Sequence, residues 1–60
     1  MKNFIKVVLY TNEEERYILK SEIKVIRPYG EKRTEIFLNR DWNYIVHGNI
    51  DEIAALMEES

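Results

Sequence analysis

Cysteine is absent from this 60-residue chain, proline occurs once and glycine twice. The missing thiols exclude a disulfide framework and any thiolate-ligated metal. The two glycines, Gly30 and Gly48, stand alone at turns, so no glycine-rich loop exists to cradle a phosphate. Long apolar runs are missing too, because Lys6 interrupts the opening "MKNFIKVVLY". A secretory leader needs an apolar core of about 7–15 residues and a small-residue cleavage site. A membrane helix needs roughly 20 apolar residues. Neither pattern is present, and a soluble, cytoplasmic protein is the expectation.

A large charge of one sign is also lacking. The net charge is −2, unevenly spread. Residues 16–40 hold seven basic side chains (Arg16, Lys20, Lys24, Arg27, Lys32, Arg33, Arg40) against three acidic ones, and from Asp41 onward there are five acidic residues and no Lys or Arg. This fits solvated strand edges and a solvated helix face. A nucleic-acid face calls for a larger basic excess.

Residues 1–60 read as a single domain, near the lower limit for a chain folding alone, where only about 60% of the unfolded surface is buried. Such a core supplies roughly 3–5 kcal/mol, and small domains commonly add a disulfide, a metal or an oligomeric interface. With the first two lacking, self-association is the expected supplement.

What is present is strand alternation. "NFIKVVLY" (3–10) is β-branched and aromatic, and the polar "TNEEE" ends it. "RYILK" (16–20) and "EIKVIR" (22–27) make two further strands, with Ser21 at a bend or bulge between them. "PYGEKR" is a turn in which Pro28 fixes φ and Gly30 accepts a positive one. "TEIFLN" (34–39) and "WNYIVH" (42–47) complete the strands. Short consecutive strands with short loops predict a twisted antiparallel β-meander of four to five strands.

A helix follows Gly48. Asn49 and Glu52 have the spacing of a capping box, which contributes on the order of 1 kcal/mol. Ile50, Ile53, Ala54 and Met57 recur at helical spacing, with Leu56 flanking them. Alone this helix is marginal, so it must pack on the sheet. The fold class expected is therefore α+β, with one C-terminal helix packed on one face of the meander.

Alternate side chains of a strand point to opposite faces. One set, Ile5, Val7, Leu9, Tyr17, Leu19, Ile23, Val25, Ile36, Leu38, Tyr44 and Val46, is nearly all apolar and suits the helix-covered side. The other holds Phe4, Val8, Tyr10, Ile18, Ile26, Phe37 and Ile45 among charged residues. The register between strands, and whether the sheet curls into a barrel, stay open at this stage. Without closure the second face is exposed apolar surface, which usually marks an interaction site. A second copy of the chain, as a homodimer, or another protein is the expected partner. The residues expected to bind it are Tyr10, Ile18, Ile26, Phe37 and Ile45, with Trp42 at the rim.

No constellation points to catalysis. His47 has no cysteine or second histidine, and a metal would need Asp41, Asp51 or Glu52 to converge on it at spacings matching no ligand pattern. It reads as structural or solvent-exposed. Glu13, Glu14 and Glu15 read as a solvated turn, and Glu58 and Glu59 as a solvated helix end. No catalytic residue, metal or cofactor is expected, and no membrane association. Tyr10, Tyr17, Tyr29 and Phe37 interleave with Arg16, Lys24, Arg27 and Arg33, which admits single-stranded nucleic-acid binding as an alternative.

The segments "FIKVVLYTNEEERYIL", "EIKVIRP", "EIFLN" and "YIVHGNIDEIAALME" together resemble the small flagellar FlbD-type proteins and related short proteins of bacterial and phage genomes. In those, a lysine-flanked "IKV" strand leads through a meander to a capped helix, to which "NIDEI" (49–53) corresponds. The resemblance implies a small binding or regulatory module without catalytic residues. A phage-encoded protein inhibitor of a host system is the second alternative.

Overall fold

The computed structural model of the chain describes residues 3–58. Five antiparallel strands and a C-terminal helix give an α+β fold. Strand β1 (Phe4–Val8) pairs with β2 (Glu15–Leu19), and a 3-10 turn over Lys20–Glu22 leads to β3 (Ile23–Pro28). Strand β3 pairs with β4 (Arg33–Leu38), β4 pairs with β5 (Asn43–His47), and helix α1 spans Ile50–Glu58. The 3-10 turn, at the bend expected around Ser21, parts the meander into a two-stranded and a three-stranded sheet. They meet at one corner, where Leu9 bridges Val46 and the Tyr10 N–H donates to the Ile45 carbonyl at 2.8 Å.

Local chemistry sets these elements. Asp41 takes φ 59° in the turn between β4 and β5, a conformation Asp tolerates, and the Leu38 N–H closes that hairpin on the Trp42 carbonyl at 2.7 Å. At the helix start, Asn49 and Glu52 cap each other: Glu52 N–H donates to Asn49 Oδ1 at 2.9 Å and Asn49 N–H to Glu52 Oε1 at 3.0 Å. Gly48 turns the chain into the helix with φ 110°, where a Cβ would lie 3.4 Å from Ile53 Cδ1. The Thr34 hydroxyl, fully buried, donates to the Gly48 carbonyl at 2.9 Å.

The core is enclosed by the two sheets and the helix, which packs against β1, β3 and β4. Its buried members are Ile5, Val7, Leu9, Ile18, Ile36, Val46 and Ile53, with Ile23, Ile26, Leu38, Tyr44, Leu56 and Met57 packed around them. The phases of β1, β4 and β5 are those expected. Those of β2 and β3 are reversed, and this corrects the assignment of Ile18 and Ile26 to an open face. Cross-strand partners share a face. Ile5 stands opposite Ile18, and Ile36 opposite Ile26, so both point inward. Tyr17, Leu19 and Val25, expected inside, are exposed. Ile23 still reaches the core because the register shifts between Ile23 and Val25.

The reversal has a direct consequence for stability. Ile18→Ala, at a site 5% exposed, is expected to cost about 2–5 kcal/mol. Tyr17→Ala, at a site 65% exposed whose ring meets Phe4 edge-on, should cost about 1 kcal/mol or less. Urea denaturation of dilute samples followed by circular dichroism measures both, and the opposite phase would reverse their order.

Candidate functional site

The outer face of the three-stranded sheet carries rows set by register. Val25, Phe37 and Asn43 form one row, and Arg27, Glu35 and Ile45 the next. Although it lies on the outward face, the Glu35 side chain is only 12% exposed. Its carboxylate accepts from Arg27 Nε at 3.0 Å and from Asn43 Nδ2 at 2.7 Å, one donor per oxygen. The Arg27 guanidinium also lies 5.6 Å from the Phe37 ring centroid. Further along, Arg33 sits 4.1 Å over the Tyr10 ring, and His47 meets Tyr10 edge-on at 5.5 Å. Cations therefore cover two of the outer-face rings.

Trp42 occupies the tip of the β4–β5 hairpin. It is 59% exposed and stands edge-on to Tyr44, ring centroids 6.2 Å apart. Trp42 lines three hollows. One of about 370 Å³ lies over Val25, Phe37 and Leu38, flanked by Lys24 and Asp41. Another, a groove of about 480 Å³, runs between β2 and the residues Leu38, Arg40, Trp42 and Tyr44. The third, about 330 Å³, lies toward Leu9, Thr11 and Ile45.

Of the expected binding residues, Tyr10, Phe37 and Ile45 lie on this outer face and Trp42 on its border, whereas Ile18 and Ile26 belong to the core. The sequence reading missed a second exposed apolar group on the two-stranded sheet. There Phe4 and Tyr17 pack edge-on at 5.0 Å beside Leu19. Alternation along β2 leaves open which of its two faces points outward.

His47 and the Glu13–Glu15 run are engaged, whereas Glu59 lies outside the described residues. His47 Nε2 lies 2.7 Å from Glu13 Oε2, Arg16 donates to Glu14 at 3.1 Å, and Lys6 lies 3.4 Å from Glu15. The Glu13–His47 contact joins residues 34 apart in sequence, which no local pattern signals. Among the described residues, no three His, Asp or Glu side chains converge to hold a metal. No family model matches this chain, and neither does any curated protein or solved structure.

Removing the Asn43 amide leaves one Glu35 oxygen short of a donor. Asn43→Ala is expected to destabilise by about 1–3 kcal/mol, and by much less in a Glu35→Met background. A double-mutant cycle in urea measures the coupling.

Proposed function

We propose that this chain is a small non-enzymatic protein-binding module that receives a partner protein on the outer face of its three-stranded sheet, with Trp42 as anchor. The observation that carries the reading is Trp42 itself: large, exposed, braced against Tyr44 and shared by three hollows. Tryptophan is enriched among residues that dominate binding energy. Bracing also reduces the side-chain freedom lost on association. The hollow floored by Val25 and Phe37 suits an apolar side chain of the partner, with Lys24 and Asp41 forming a polar rim.

The engagement of Glu13, Glu14, Glu15 and Glu35 with nearby partners favours binding over acid–base chemistry. The nucleic-acid alternative is less well supported, because Arg33 covers Tyr10 while Arg27 is held by Glu35 and lies near Phe37. A regulatory module of the flagellar type and an inhibitor of a host system would use the same surface chemistry with different partners.

Peptides selected from a random library on the immobilised protein are expected to bind it in solution. Their affinity should fall about tenfold or more for Trp42→Ala, as when an aromatic anchor is lost, with the circular dichroism spectrum unchanged. Peptides that bind both forms equally contradict the reading. So does a library yielding no binder while single-stranded oligonucleotides bind with steep salt dependence.

A further inference from the structure

Among the described residues, strands β2 and β3 each leave one side without any strand beside it, and these two edges are not alike. Strand β3 is blunted by Pro28, which has no N–H, by Lys24, and by the register shift between Ile23 and Val25. These are devices that keep sheet edges from pairing. Strand β2 also carries charge, at Glu15 and Arg16, but it has neither proline nor bulge and holds an unbroken register against β1 from Glu15 to Leu19. The Lys20 N–H donates to the Asn3 carbonyl and the Leu9 N–H to the Glu14 carbonyl. Antiparallel pairs alternate between bonded and non-bonded. The amides and carbonyls of Glu15, Tyr17 and Leu19 therefore point away from β1, toward the open edge.

We propose that this edge pairs with β2 of a second copy of the chain, antiparallel and centred on Tyr17. The charge order along the strand, together with the pairing of the outward main-chain groups, selects that register. A two-fold axis at Arg16 would set Arg16 against Arg16 of the partner subunit. An axis at Ile18 would set Arg16 against the partner's Lys20, and Glu14 against the partner's Glu22. Like charges directly opposite are destabilising. An axis at Tyr17 sets Glu14 against the partner's Lys20 at both ends, and Arg16 against the partner's Ile18. It is also the register in which the outward groups of Glu15, Tyr17 and Leu19 all find partners. Glu14 and Lys20 are each already engaged within their own chain, and the half-exposed Glu14 leaves room for a second cation. On the outer face Tyr17 meets Tyr17 of the partner subunit, and Phe4, 5.0 Å from Tyr17, extends the apolar strip.

So short an edge falls well below the roughly 1,600 Å² of a standard interface. The dimer is accordingly weak and concentration-dependent. It uses the main-chain edge of β2 and not the Val25–Phe37 hollow, so either proposal can fail while the other stands, although Trp42 also lines the groove beside β2.

Residue-resolved amide exchange over a dilution series tests it on the unmodified protein. The Tyr17 and Leu19 amides should exchange fast when dilute and slow as concentration rises. Unchanged rates at these amides overturn the proposal. Glu14→Lys and Lys20→Glu should each raise the dimer dissociation constant roughly three- to thirtyfold, since two cross-strand charge pairs turn repulsive together, and the double variant should restore it. Dimerisation indifferent to either single change, or not restored by the double one, overturns the register. Dimerisation lost in Val25→Ser, a change in the hollow of the three-stranded sheet that β2 does not line, overturns the assignment to this edge.

Discussion

Two cross-strand pairs govern this domain: Ile5 opposite Ile18, and Ile36 opposite Ile26. Because partners across a ladder share a face, these pairs fix which half of β2 and β3 is oily toward the core. Inward go Ile18 and Ile26; outward go Tyr17, Leu19 and Val25. A shift of one residue in either ladder would exchange the two sets. The hydrophobic core and the sticky exterior are thus two results of the same registers.

The same geometry relieves a shortage. A flat five-stranded layer would leave one face bare, since a single nine-residue helix covers only one side. Parting the meander at Lys20–Glu22 lets the two sheets and α1 enclose one core. What remains apolar outside comprises the Phe4–Tyr17–Leu19 strip, the Val25–Phe37–Trp42 surface and the rings of Tyr10 and Tyr29. On that face Glu35 is sunk under Arg27 and Asn43, which sets a polar cluster among Val25, Phe37 and Ile45.

Much of the fold could be read from local signals. Alternation marked all five strands, the polar and glycine-bearing breaks marked the turns, and Asn49 with Glu52 marked the helix start. Phase between strands was not legible, because alternation within a strand is silent about its neighbour's register. That depends on backbone geometry in the turns, such as the positive φ of Glu13 and Asp41, and on the irregularity after Ile23. The candidate surface suffered accordingly. Tyr10, Phe37 and Ile45 were placed together, Ile18 and Ile26 were not part of it, and the Glu35 network and the Glu13–His47 contact had no sequence signature.

Methyl-to-methyl nuclear Overhauser spectroscopy on a sample dilute enough to be monomeric addresses the central claim most directly. Cross-peaks joining the methyls of Ile5, Ile18, Ile36, Val46 and Ile53 into one cluster are expected within the single chain. An Ile18 methyl isolated from that cluster, with Leu19 connected to it instead, would contradict the register on which the core and both exposed surfaces depend.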